Sequence, residues 1–158
     1  MANASESKAA ILTDIMLTVF RVNGRLLEKG DQLVRPLNLT SARWQVLGAV
    51  AQAGKPLSVP QIAEAMGITR QGAQKQLNKL AKEGLVEQSR NPRHERSPFY
   101  LLTELGNRTI FETTALQNIW ANGLVADLAL QDLRNTLQML NAVYERLDSP
   151  VPTNGVSA

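Results

Sequence analysis

Met66–Lys82 reads MGITRQGAQKQLNKLAK. Gly67 suits a tight turn, and Thr69 has the side chain to cap a helix running from Arg70 to Glu83. On that helix Ala73, Leu77 and Leu80 share one face and must pack inward. Gln71, Gln74, Lys75, Asn78 and Lys82 fall on the opposite face, with Lys79 flanking them. That face holds amides and cations without a carboxylate, whereas a generic solvated helix mixes signs, with Glu and Lys a turn apart. Long amide and cationic side chains are what reading base edges and holding phosphates requires. Gly72 is costly inside a helix and removes bulk beside this face, as close backbone approach would require.

Upstream, Ser58-Val59-Pro60-Gln61 is a capping box with a proline in the first helical turn. It opens a short helix carrying Ile62, Ala63 and Met66, which Gly67 stops. Two helices joined by a glycine-containing turn make a helix-turn-helix. Downstream, Gly84 closes the second helix, and two short strands follow, Leu85–Ser89 and Pro98–Leu102. Between them lies RNPRHERS, Arg90–Ser97, with three arginines and the only histidine. A helix-turn-helix followed by a hairpin is a winged helix, whose wing tip can place arginines at a narrow, strongly negative minor groove. One histidine without cysteine or paired carboxylates nearby makes neither a metal site nor a catalytic triad, so His94 is either a hydrogen-bonding group of the wing or plain solvated loop.

Long helices flank this centre. The first begins near Ser7, carries Ile11, Ile15, Val19, Val22 and Leu26 beside Leu12, Met16, Phe20 and Leu27, and runs toward Arg35. A second starts at Thr40 or Ser41, bears Trp44, Leu47 and Val50, and ends at Gly54. Thr103 caps a long helix that Asn122-Gly123 should break or kink, and a last helix spans roughly Leu130 to Leu147. The tail from Asp148 reads as disordered. The expected fold is mainly α, a winged helix-turn-helix with long N- and C-terminal dimerisation helices. Residues 1–35 form the first of these, 36–103 the DNA-binding domain, 104–147 the C-terminal dimerisation helices and 148–158 the tail. The terminal helices carry more apolar surface than a small winged helix could cover, which argues for a homodimer.

Composition narrows the function. The chain has 158 residues, 44% of them hydrophobic, enough for one ordinary core. It has no cysteine, which excludes disulfides, thiolate metal sites and thiol-based redox sensing. No apolar run approaches membrane-spanning length and no signal peptide is apparent, so the expected location is the cytoplasm. The formal net charge is +3, and it is concentrated. From Thr69 to Arg96 there are seven cations against three anions, and the rest of the chain has ten against eleven. A basic segment of this kind points to a polyanion partner. No nucleophile–base pair, paired-carboxylate motif or phosphate loop is present, so an enzyme is not expected, nor is any catalytic residue, metal or cofactor.

From Leu39 to about Gly106 the sequence resembles the MarR (multiple antibiotic resistance regulator) family, in LTSARWQVLGAV, LSVPQIAEAMGITRQGAQKQLNKLAKEGLVEQ and RNPRHERSPFYLLTELG. The run LNKLAKEGLVEQ resembles that family's passage from recognition helix to wing, and LLTELG its Leu-Thr-x-x-Gly start of the fifth helix. Family wings usually carry Asp-x-Arg before the second strand; here Arg96 matches the arginine and His94 stands in place of the aspartate. Arg96 is then held by Glu95, held by a backbone carbonyl, or turned to DNA. The resemblance implies a two-fold dimer on double-stranded DNA and repression relieved by a small aromatic or phenolic effector. Together, residues and resemblance nominate Thr69, Arg70, Gln71, Gln74, Lys75, Asn78, Lys79, Arg90, Arg93, His94 and Arg96 as DNA contacts. Phe20, Arg43, Trp44 and Phe111 are either an effector cleft or ordinary core. The competing readings are a winged-helix module for protein partners, which predicts an apolar or mixed-sign recognition face, and a non-specific architectural DNA binder, against which Gln71, Gln74 and Asn78 argue.

Overall fold

A computed structural model describes residues 7–94 and 96–150. In chain order the elements are α1 (Lys8–Val34), a 3-10 turn (Arg35–Leu37), α2 (Ser41–Ala53), β1 (Leu57–Ser58), α3 (Val59–Met66), α4 (Arg70–Lys82), β2 (Val86–Ser89), β3 (Phe99–Leu102), α5 (Glu104–Leu124) and α6 (Leu130–Arg146). The fold is mainly helical with one small antiparallel sheet, as the sequence led us to expect. Two compact units divide the chain, one through Asn118 and one from Ile119, the division falling inside α5.

Short-range chemistry sets most of the boundaries. Ser7 Oγ accepts from Ala10 N and starts α1. Thr40 Oγ1 accepts from Arg43 N at α2, and Gln61 Oε1 accepts from Ser58 N and Ser58 Oγ at α3, each at 2.9 Å in the latter case. Gly54, Gly67 and Gly84 take the left-handed conformation, at φ of 60°, 60° and 73°, where α2, α3 and α4 end. After α4, Leu85 N donates to Leu80 O and Gly84 N to Ala81 O, the paired bonds of a Schellman motif.

One expectation is corrected. The hairpin is a three-stranded sheet in the order β1-β3-β2, with Leu57 opposite Tyr100 and Val86 opposite Leu102. A two-residue strand has no periodicity to betray it. The Asn122-Gly123 pair lies in the last turn of α5, which ends at Leu124, one residue past the glycine. The tail from residue 151, like Glu95 and residues 1–6, lies outside the described residues.

The core is built by α2, α3, α4 and the sheet. Val46, Leu47, Ile62, Leu77 and Leu80 are fully buried, and Tyr100 nearly so. Each such aliphatic side chain contributes about 1.5–3 kcal/mol on burial, so this cluster, and not the short sheet, holds the unit together. α1 joins it only at its end, where Gly30 and Val34 are buried. There Ser41 Oγ donates to Leu27 O at 2.6 Å, and Asp31 Oδ1 accepts from Ser41 N at 2.6 Å. A Cβ on Gly30 would lie 2.4 Å from Ser41 Oγ. Helix propensity alone favours Gly30→Ala by about 1 kcal/mol, whereas overpacking costs about 1–3 kcal/mol. We expect the second to win and Gly30→Ala to lower the unfolding midpoint. Gly48→Ala, in α2 with nothing within 4 Å of the added carbon, should raise it. Denaturant titration of both variants checks the pair of signs.

Candidate nucleic-acid interface

α4 begins at Thr69, whose Oγ1 accepts from Gly72 N at 3.0 Å. A Cβ on Gly72 would stand 3.1 Å from that same oxygen, so one reason for the glycine is room for the cap. Ala73, Leu77 and Leu80 have no exposed surface. Arg70, Gln71, Lys75, Asn78, Lys79 and Lys82 are exposed. The inward and outward faces are therefore those that the 100° spacing required. No carboxylate occurs between Arg70 and Lys82, and the nearest one, Glu83, accepts from Arg43 Nη1 of α2. Arg43 also donates to Asn38 O at 2.7 Å and is largely buried. One negative charge at the end of α4 is thus neutralised within the protein, which leaves the outward face of the helix uniformly non-acidic.

Gln74 is placed differently from its neighbours. It is half-buried, and its Nε2 donates to Asn78 Oδ1 at 2.8 Å and to Tyr100 Oη at 3.0 Å. Gln88 Nε2 of β2 donates to the same hydroxyl at 3.0 Å. These bonds tie the recognition face of α4 to the strands of the wing. Sequence reasoning does not single out Tyr100 or Gln88. The available signal is a tyrosine in Phe-Tyr-Leu-Leu: if such a residue is buried, its hydroxyl must find a partner.

The wing loop is organised by Asn91, which sequence reasoning also misses. Its side chain is buried; Nδ2 donates to Ser97 O at 2.8 Å, and Oδ1 accepts from Arg93 N at 3.1 Å. His94 N donates to Asn91 O, and Ser97 N to His94 O, closing the loop through backbone bonds. The signal here is Asn-Pro, a turn-initiating pair. An amide thus braces the loop of a wing in which His94 stands at the aspartate position. Arg90, Arg93, His94 and Arg96 are all exposed.

The four residues nominated for an effector are not brought together by any bond. Phe20 is 70% and Phe111 77% exposed, Trp44 packs against the core, and Arg43 is committed to Glu83 and Asn38. Among the described residues no helix is long and apolar enough to cross a membrane.

Comparison with known proteins agrees with this geometry. A MarR family model matches residues 37–97, from the end of the 3-10 turn before α2 to the end of the wing loop. An uncharacterized protein of Mycobacterium tuberculosis, Rv2011c, is 37% identical over 130 residues, covering 80% of this chain and 89% of its own. The transcriptional activatory protein BadR of Rhodopseudomonas palustris is 24% identical over 149 residues, covering 92% and 85%. The crystal structure of the transcriptional regulator BldR from Sulfolobus solfataricus superposes with a TM-score of 0.80 at 20% identity, covering 89% of this chain and 99% of that one. The family model over the helix-turn-helix and the wing loop places the chain in the MarR family of transcriptional regulators.

Proposed function

We infer that the protein is a sequence-specific transcriptional repressor that binds a palindromic operator as a homodimer. The observation that carries this reading is the outward face of α4, amides and cations only, hydrogen-bonded through Gln74 to the strand that returns from an arginine-bearing wing. In this reading residues 36–103 bind DNA, and the helices in 1–35 and 104–147 join the protomers. α4 enters the major groove, with Gln71, Gln74, Lys75 and Asn78 at base edges and Arg70 and Lys79 at phosphates. Arg90, Arg93, His94 and Arg96 lie along the neighbouring minor groove or its phosphates. A module for protein partners needs an apolar or mixed-sign face at α4, and α4 has neither.

Ligand response is the finest part of the reading. A small aromatic or phenolic acid would bind beside Phe20, Trp44 and Phe111 and relieve repression. Arg43 has its guanidinium on Glu83, so an acid would bind there only by breaking that pair.

Recovery of bound fragments from a random-sequence duplex pool tests the reading directly; a two-fold symmetric consensus is expected. On the recovered duplex, Lys75→Ala should cost about 1–3 kcal/mol, with a smaller loss on random duplex. Arg93→Ala should weaken both duplexes alike and lower the magnitude of the salt slope by about one unit for each phosphate the side chain neutralises. Enrichment of no sequence at all, or equal losses for Lys75→Ala on both duplexes, would count against sequence-specific control.

A further inference from the structure

We propose that Tyr100 is a positioning residue for sequence readout: its hydroxyl holds Gln74, and through it Asn78, so that the two amides present one fixed reading unit. The inference deepens the regulator reading above and rests on it.

Tyr100 is only 1% exposed, so its ring is set by the core and its hydroxyl by the ring. That hydroxyl lies 3.0 Å from Gln74 Nε2 and 3.0 Å from Gln88 Nε2. Gln74 Nε2 has two protons; one goes to Tyr100 and the other to Asn78 Oδ1 at 2.8 Å. A free glutamine can offer a base a donor and an acceptor together. Gln74 has committed its donor and keeps Oε1, which bonds no described residue. Asn78 has the complementary remainder: its Oδ1 is occupied and its Nδ2 still has protons to give. An acceptor on Gln74 therefore stands one helical turn from a donor on Asn78, and the pair does what either amide would otherwise do alone. Holding both side chains before DNA arrives also removes part of the ordering cost of binding. Because Tyr100 belongs to β3, a displaced wing would release Gln74, so wing position and base preference are linked.

The test compares wild type, Tyr100→Phe, Gln74→Ala and their combination on the wild-type consensus duplex and on random duplex at one salt concentration. Tyr100→Phe should weaken consensus binding about tenfold, the worth of one well-made hydrogen bond, and leave random binding unchanged. Repeating the selection with Tyr100→Phe should flatten base preference at one position of each half-site. In the Gln74→Ala background Tyr100→Phe should add nothing. The phenylalanine keeps the ring in the core. Gln88→Leu is the second variant should that core not tolerate it, and it should change binding in the same direction with smaller amplitude. In the free protein, the side-chain amide resonances of Gln74 and Gln88 should shift in Tyr100→Phe. Unshifted resonances would remove the network itself. Equal losses on both duplexes, or full additivity with Gln74→Ala, would reduce Tyr100 to scaffolding. Wild-type protein that enriches no consensus would overturn the regulator reading and this inference with it.

Discussion

Gly106→Ala is expected to lower stability by about 3 kcal/mol, the upper end of what overpacking costs. A Cβ at position 106 would stand 2.0 Å from Leu85 O, which is backbone and cannot rotate away. Nor can the carbonyl retreat easily. Leu85 O accepts from Thr103 N, Thr103 Oγ1 donates to Gly84 O at 2.6 Å, and Gly106 N donates to that same Oγ1 at 3.0 Å. The end of α4 and the start of α5 are thus clasped through three successive bonds, with the glycine lying in the clasp. Helix propensity would favour alanine by about 1 kcal/mol, so the two effects have opposite signs. For a chain of this length a loss of about 3 kcal/mol is a fall in melting temperature of about 6–12 °C. Calorimetry at matched protomer concentration would measure it. An unchanged or raised midpoint would mean that α5 can slide off Leu85 without loss, and the clasp would then be incidental.

That clasp also shows what the sequence made legible and what it did not. Thr103 as a cap and Gly84 as a helix stop were readable, because each is decided by residues within a few positions. The same holds for Ser58 with Gln61 and for Thr69, whereas Leu-Thr-x-x-Gly as a start of a helix came from the family resemblance. The outward face of α4 was readable too, since helical spacing alone sorts its side chains. The partner of Gly106 was not readable: Leu85 lies 21 positions away, and nothing in either residue announces the other. Arg43 illustrates the same limit at the candidate site. It was open to an effector-cleft reading because the carboxylate that claims it, Glu83, comes 40 positions later. Gln74 looked like a free amide because the hydroxyl that holds it is 26 positions away. Local rules found the helices, their faces and two of the three strands; β1 and the pairs joined only by the folded core had to be seen.

The largest effect is expected where the protein is least covered. α6 buries none of its residues, and Leu137 and Tyr144 are 61% and 65% exposed, with Leu140 a turn beside them. α1 is 27 residues long and buries only Gly30 and Val34, leaving Ile11, Met16, Leu17, Phe20, Val22 and Leu26 open. A protein rarely leaves apolar area of this extent in water, and a second copy of the chain is the occupant that the regulator reading requires. We therefore expect sedimentation of the wild type at micromolar concentration to show a dimer. The double substitution Leu137→Glu, Leu140→Glu places two carboxylates on the bare face of α6 and touches none of the buried cluster that holds the winged unit. The dimer should be lost, whereas hydrogen exchange in α3, α4 and the sheet should stay protected. On a full palindrome the two recognition helices would sit about 34–36 Å apart, in successive major grooves. Joining two such sites in one particle raises affinity by about 10²–10⁴ over one site alone, and that factor should disappear from full-site binding while half-site binding persists. The salt slope on the full site should fall to about half, because a single protomer neutralises half as many phosphates. A variant that remains dimeric with unchanged affinity would show that α6 faces something other than its own copy. A wild-type monomer that binds the palindrome as tightly as any pair would remove two-fold symmetry from the reading of α4 as well.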